Sequence, residues 1–309
     1  MAKPEVLVVY KKSQLRLALE KRNSRIQRLL KRGDPSTEPM RAAHEAHEAT
    51  LIEVERALRA AGVGSARVYR ARLRPAMTEG RRLVISLGGD GTLLDASHKV
   101  GATPVLGVNS DTAHSVGFLC AAHRGTFAAL LAQVLAGRLK PTVVRRVGGA
   151  IDGTPLPFPV LNDVLVAHKN PAATSRVLVE HRGVVEDQKS SGIWVSTAAG
   201  STAAMSSAGG EIVGLHDARA QVRVREPFLA DGPRYALASL WLSDGDEVCV
   251  TSKMREGRVY LDGPHEVLEL PMGARLSLSL RAPPLNLYAT QEMALRRETA
   301  RQNALHGHV

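Results

Sequence analysis

A short apolar run, Leu83 to Leu87, passes straight into Gly88-Gly89-Asp90-Gly91-Thr92, and a helix-like stretch from Thr92 to Val100 follows. A buried strand that ends in glycines and turns into a helix is half of a crossover between parallel strands. The flanking segments repeat the pattern. Val6 to Val9 reads as a strand, and Ser13 to about Lys31 as a basic helix with Leu15, Leu19, Ile26, Leu29 and Leu30 near helical spacing, broken by Gly33-Asp34-Pro35. Pro39 to Ala61 predicts a second helix ended by Gly62, Pro104 to Asn109 another buried strand, and Gly125 to Gly137 another amphipathic helix. Strands alternating with helices in this way predict a parallel, doubly wound α/β sheet.

After about Pro141 the texture changes. Short runs rich in Val, Leu and Ile lie between Gly, Pro, Asp and Asn: Leu161 to Ala167, Ser175 to Glu180, Gly192 to Ser196, Glu247 to Thr251, Arg258 to Leu261 and Arg275 to Leu280. The expected organisation is an α/β domain over 1–140, a β-rich domain over 141–290, and a tail over 291–309 that forms a terminal helix with a loose end.

Composition excludes several classes. A chain of 309 residues with 44% hydrophobic content can build its own core, and two cysteines, Cys120 and Cys249, set far apart, suggest neither a disulfide framework nor a zinc site. The first residues read as a strand and not a signal segment, and no apolar run reaches the roughly 18 residues of a membrane span. The expectation is a soluble, cytoplasmic protein with no membrane partner. The net charge of +11 invites nucleic acid, but the basic residues crowd into stretches read as helical, Lys11 to Arg32 and Arg67 to Arg82, and aromatics make up only 4%. Stacking platforms are therefore scarce, and a polyanionic small substrate uses the same positive field.

The chemistry concentrates at the glycine turn. Without Cβ atoms, Gly88, Gly89 and Gly91 let phosphate oxygens approach backbone amides, and the N-terminus of the next helix favours negative charge. Asp90 would repel phosphate unless it has a task there, either holding Mg²⁺ against the phosphates or accepting a proton from an attacking hydroxyl. The turn is neither a GxxxxGK[ST] loop nor a GxGxxG fingerprint. Other segments carry polar groups at strand ends: Asn109 in Gly107-Val108-Asn109-Ser110-Asp111, then Val116-Gly117-Phe118-Leu119-Cys120, and Asn162 and Asp163 in Leu161-Asn162-Asp163-Val164. An amide beside a carboxylate suits ribose hydroxyls or amino groups, and equally a capped turn. His44 and His47, one helical turn apart with Glu45 and Glu48 beside them, read as a solvated face and not as a metal site.

These segments together resemble the NAD kinase family. The GGDGT element is shared more widely, with diacylglycerol and sphingosine kinases and phosphofructokinases. The specific match is the run from Lys189-Ser190-Ser191-Gly192 through Thr197-Ala198-Ala199-Gly200-Ser201-Thr202-Ala203-Ala204-Met205 to Gly210. Ser191, Ala204 and Asp163 stand where the common bacterial branch has Asp, Tyr and frequently Glu. With Arg225-Glu226-Pro227 and Leu261-Asp262-Gly263, the wording is closest to the plant NADH kinase branch.

The resemblance implies an α/β domain and a sandwich-like β domain with the active site in the crevice between them, and a homodimer or dimer of dimers. It implies ATP as donor, Mg²⁺, and NAD⁺ or NADH as acceptor. Asp90 is then the proton acceptor and metal ligand, with Gly88, Gly89, Gly91 and Thr92 shaping the phosphate loop. Asn109, Asn162, Asp163, Lys189, Ser191, Thr197, Ser201, Thr202, Ala204, Ser207 and His265 are the candidates for holding the dinucleotide. The alternatives are a lipid kinase of the same superfamily and a non-catalytic dinucleotide sensor.

Overall fold

The computed structural model describes residues 4–228 and 235–306. The chain divides into two compact units, 1–142 with 286–293, and 143–285 with 294–309. The expected loose end of the tail at 307–309 lies outside the described residues.

The first unit opens with β1 (Val6–Tyr10), α1 (Gln14–Glu20), α2 (Ser24–Lys31), α3 (Glu38–Ala60) and β2 (Ser65–Tyr69). It continues with α4 (Pro75–Thr78), β3 (Leu83–Gly88), α5 (Asp90–Ser97), β4 (Val105–Asn109), β5 (Ala122–His123) and α6 (Phe127–Leu135). Strands pair in parallel in the order β2-β1-β3-β4, and β5 joins β4. β3 and β4 are buried along their whole length, as expected for parallel strands covered on both faces. This is the α/β domain the alternation predicts.

Three local expectations need correction. The basic helix expected from Ser13 to Lys31 is two helices. Arg22 takes φ 50, and the Asn23 side chain caps α2 by accepting from the backbone N–H of Ile26 at 3.1 Å, so the helical period restarts. The stretch from Arg67 to Arg82 is not a helix. β2 claims Val68 and Tyr69 as partners of Val9 and Tyr10, and α4 is a single turn, because sheet pairing overrides local propensity. His47 does not face solvent. It is 1% exposed on α3, and its Nδ1 lies 3.0 Å from Ser110 Oγ. Burial lowers its pKa, so it is neutral at pH 7.

A short strand, β6 (Thr142–Val144), precedes the second unit's β7 (Gly148–Ile151), β8 (Thr154–Pro155), β9 (Asp163–His168), β10 (Ser175–His181), β11 (Val184–Ser190) and β12 (Gly192–Ser196). Then come α7 (Ala204–Ser207), β13 (Ala220–Arg225), β14 (Ser239–Leu242), β15 (Glu247–Ser252), β16 (Gly257–Leu261), β17 (Glu266–Glu269) and β18 (Arg275–Ser279). The chain ends with β19 (Leu285–Leu287) and α8 (Gln291–Leu305). Two antiparallel sheets result, β11-β10-β15-β18-β7-β8 and β14-β13-β12-β9-β16-β17.

One apolar core joins both sheets. Val164, Val166, Ile193, Val195, Val222 and Val259 come from one, and Val177, Val179, Val248, Val250, Leu276 and Leu278 from the other. Alternate residues of β10 and β15 supply it, which is the period-2 pattern of a sandwich.

Candidate active site

The glycine turn of the first unit is built by close packing. A Cβ on Gly88 would run into the Thr92 hydroxyl, and Thr92 itself is buried, so the strand can turn into α5 only with glycine there. Gly89 is the N-cap, and the Thr92 N–H donates to its carbonyl at 2.9 Å. The helix therefore begins at Asp90, two residues earlier than the sequence suggests. Gly91 is exposed, and a Cβ there would meet nothing within 4 Å.

Asp90 ties this turn to the Gly117-Phe118-Leu119 segment. Its Oδ2 accepts from Phe118 N–H at 2.8 Å and its Oδ1 from Leu119 N–H at 2.8 Å. The Cys120 thiol also lies 3.8 Å from the same Oδ1, so the loop holds both oxygens of the carboxylate. Asn109, only 3% exposed, spends its amide on the same loop. Its Nδ2 donates to the Ser115 carbonyl at 2.8 Å, and its Oδ1 accepts from Asp111 N–H at 3.2 Å. Gly117, at φ 67, packs where a Cβ would strike that amide. Asn109 thus shapes the loop that Asp90 anchors.

Lys11 follows β1, and its backbone N–H donates to the Leu87 carbonyl at 3.3 Å, beside the glycine turn. Its ammonium is half-buried and makes no side-chain hydrogen bond or ion pair among the described residues. Burial lowers its pKa, with nearby Asp111 opposing.

In the second unit, Asn162 and Asp163 stand where β9 begins. The Asp262 carboxylate accepts from three successive backbone N–H groups: Leu161 at 2.9 Å, Asn162 at 2.6 Å and Asp163 at 3.1 Å. On the other side the Asn162 carbonyl accepts from Thr197 N–H at 2.9 Å and Ser196 Oγ at 3.1 Å. A Cβ on Gly200 would collide with that same carbonyl. The Asn162 side chain is 9% exposed, and its Oδ1 has no partner. Asp163 is 6% exposed, and burial first, then the charge of Asp262, raises its pKa to about 7.

Residues 6–139 match the family described as ATP-NAD kinase N-terminal domain. The chain is 36% identical over 233 residues to a probable NADH kinase of Oryza sativa subsp. japonica, covering 68% of this chain and 72% of the relative. The NADH kinase of Arabidopsis thaliana is 35% identical over 237 residues, covering 67% and 72%. The chain belongs to the NAD kinase family.

The fold is that of solved NAD kinase structures too. An Archaeoglobus fulgidus NAD kinase in complex with ATP superposes with TM-score 0.69 at 18% identity, covering 96% of this chain and 98% of that one. Yeast NADH kinase complexed with NADH gives 0.63 at 18% identity, covering 79% and 70%.

Within this kinase fold the remaining candidates divide. Thr197 and Ser201 are buried and fully engaged. Thr197 Oγ1 donates to the Leu161 carbonyl and accepts from Ala199 N–H at 3.0 Å; Ser201 Oγ donates to the Ala198 carbonyl at 2.9 Å and accepts from Val213 N–H at 3.1 Å. These two hydroxyls hold the signature segment in shape and do not line its surface. Ala204 and Ser207 line a hollow with Trp194, Val224, Arg225 and Glu226, and Ser191 lines a second hollow across the same Arg225-Glu226 pair. The Ser191 hydroxyl donates to the Glu226 carboxylate. Thr202 is half-buried beside Ser201, whereas Lys189 on β11 and His265 between β16 and β17 are exposed.

Sequence reading missed Arg297, Arg146 and the task of Asp262. Arg297, 3% exposed on α8, donates to the carbonyls of Val213 and Ala198 and to Ser201 Oγ. Arg146, 1% exposed, donates to the Pro283 carbonyl at 2.6 Å and the Pro284 carbonyl at 3.2 Å. Burial brings its pKa down to about 10, with Asp262 opposing that fall. Nothing in a polar, charged tail marks Arg297, and only the sequence wording Leu261-Asp262-Gly263 pointed towards Asp262.

Proposed function

We propose that this chain transfers the γ-phosphoryl group of ATP to the 2′-hydroxyl of the adenosine ribose of NAD⁺ or NADH, giving NADP⁺ or NADPH. The observation that carries this reading is the Gly88-Gly89-Asp90-Gly91-Thr92 turn at the start of α5, with its one carboxylate fixed by two backbone N–H groups. Phosphoryl transfer asks a protein mainly for position and charge neutralisation. The backbone amides of the turn and Lys11 meet the triphosphate, and Asp90 accepts the proton of the ribose hydroxyl.

Mg²⁺ fits as an ion that enters with the nucleotide. Among the described residues no group of three or more His, Cys, Asp or Glu gathers to hold a metal. Mg²⁺ at such sites is commonly held by one or two carboxylates, water and substrate phosphates, and Asp90 is the carboxylate that would hold it. Bound there, the ion would neutralise charge on the phosphates.

Asn162 and Asp163 hold one end of the dinucleotide, and Ser191, Ala204 and Ser207 face the hollows beside Arg225. Both redox forms are read as substrates, supported by the relatives named NADH kinase. We also read the chain as a homodimer built through its second unit, supported by the exposed Val184 and Val185 on edge strand β11. Among the described residues no helix is long and apolar enough to cross a membrane, and we read the kinase as cytoplasmic.

The test is the initial rate of NADP⁺ and NADPH formation with ATP and Mg²⁺, offering NAD⁺ and NADH separately. Saturable turnover of either supports the reading. No turnover of either overturns it and directs attention to lipid acceptors or to binding without catalysis.

A further inference from the structure

The β16–β17 turn carries a residue in an uncommon backbone state. Asp262 has φ 50, and Gly263 follows at φ 112. A left-handed non-glycine residue is disfavoured unless its surroundings hold it there, although Asp tolerates the region better than most. Here four hydrogen bonds hold it. Three successive N–H groups, from Leu161, Asn162 and Asp163, converge on the Asp262 carboxylate, and the Asp262 N–H donates to the Asp163 carbonyl at 2.9 Å. With Thr197 and Ser196 bonded to the Asn162 carbonyl, the backbone of Asn162 is fixed from both sides.

The side chains on this fixed backbone are treated differently. The Asn162 amide oxygen is buried and has no partner in the protein, and no hydrogen bond to the Asp163 carboxyl is present among the described residues. Buried polar atoms are nearly always satisfied, so an orphan on a rigid backbone marks a place kept for a donor from outside. Asp262 itself faces the buried guanidinium of Arg146, which is anchored to the carbonyls of Pro283 and Pro284.

We propose that Asp262 is the positioning residue for the dinucleotide end held by Asn162 and Asp163, its carboxylate fixing their backbone so that both side chains stay open to hydroxyl or amino donors of the ligand. The inference rests on the kinase reading for the identity of that ligand. Asp262 acts through Asn162 and Asp163 and does not itself touch the substrate. The charged or titratable neighbours that bear on the pair are Asp262 facing Asp163 and Arg146 facing Asp262.

Asp262→Asn keeps the size of the side chain but replaces one acceptor oxygen with a donor NH₂ that opposes a backbone N–H. The expected result is a tenfold or greater rise in the Kd of NADH, read by its fluorescence, with the KM for ATP changed by less than twofold. The midpoint of the pH dependence of NADH binding should also move to lower pH, because a negative charge facing Asp163 has been removed. An unchanged Kd, or equal losses for NADH and ATP with no movement of the pH midpoint, overturns the proposal.

Should Asp262→Asn fail to fold, Gly263→Ala strains the turn at φ 112 and displaces the carboxylate without deleting it; the same selective loss of NADH is expected, and equal loss of both substrates refutes the idea. Wild-type protein that binds NADH but shows no turnover would defeat the kinase reading alone, since the Kd comparison stands without catalysis.

Discussion

Two aspartates organise the two units, and they are used in different ways. Asp90 stands in the first turn of α5, half-buried, and reaches across to two backbone N–H groups of a loop about thirty residues later in the chain. Asp262 sits in a hairpin turn and gathers three N–H groups from about a hundred residues earlier. In the first unit the clamping carboxylate is itself the group proposed for chemistry. In the second the clamp is Asp262, and the open carboxyl, Asp163, is its neighbour. A reacting group that also carries structure can be changed only by disturbing both functions, whereas a clamp placed beside the binding group separates them.

The largest effect that tests this contrast is at Asp90. Asp90→Asn is expected to lower kcat by roughly 100-fold to 10,000-fold, the usual span for a general acid or base. From the sequence alone this variant would be expected to fold normally. The hydrogen bonds to Phe118 and Leu119 change that expectation, because an amide NH₂ turned towards one of those N–H groups costs about 1–3 kcal/mol. Thermal melting should therefore show a lower Tm together with the loss of turnover, and near-normal turnover would remove Asp90 from the role of base.

Asp163 gives the next effect, in stability against pH. Its folded pKa, about 7, lies above the ordinary 3.8, so the folded state holds a proton that the unfolded state has released. Its stabilising contribution is complete below about pH 4 and is lost as pH rises through about 7. The rise corresponds to at most about 4 kcal/mol. Asp163→Asn should be more stable than the wild type at pH 8 and similar to it at pH 4, measured by urea unfolding at both pH values. Parallel pH curves for the two proteins would show that Asp163 is not held neutral by the fold.

A pair of glycines sharpens the comparison within the first unit. Gly88→Ala forces a methyl into Thr92 and should cost about 1–3 kcal/mol, as overpacking does. Gly91→Ala has open space and should change stability by less than about 0.5 kcal/mol. If Gly91 nevertheless faces the triphosphate, its alanine variant raises the KM for ATP several-fold while Tm stays constant. An unchanged KM would place the phosphates away from Gly91.

The smallest effect is expected at Ser191. Ser191→Ala removes a hydroxyl bonded to Glu226 at an exposed site. Stability should change by less than about 0.5 kcal/mol, and the KM for NADH by a few-fold with that for ATP unaltered. A change confined to ATP would move Ser191 out of the dinucleotide site.

How much was legible follows the distance along the chain over which each feature is built. The glycine turn, β3 and α5 lie within fifteen residues, and their apolar run, glycines and helical period could be read directly. The sandwich strands β9, β10, β12, β15, β16 and β18 were visible as runs of Val, Leu and Ile, whereas β7, β8, β11, β13, β14 and β17 were not expected, nor was β2 of the parallel sheet. β2 lies in a stretch so rich in arginine that it looked like helix, and only its pairing with β1 makes it a strand. His47 was misread for a related reason. Its neighbours Glu45 and Glu48 suggest a wet face, while the ring turns inward to Ser110, 63 residues away.

The sequence by itself determined the alternation that makes a parallel sheet, the β-rich second half, and the family motifs in their order. Each depends on residues close together in the chain, where periodicity and glycine placement act directly on the backbone. Only the tertiary structure decided that Thr197 and Ser201 are buried supports, that Arg297 braces the signature segment, and that Asp262 holds Asn162 and Asp163 while leaving their side chains open. Those outcomes depend on which backbone donors meet which buried acceptors. That pairing is settled by packing between segments tens to about a hundred residues apart, and no local pattern records it.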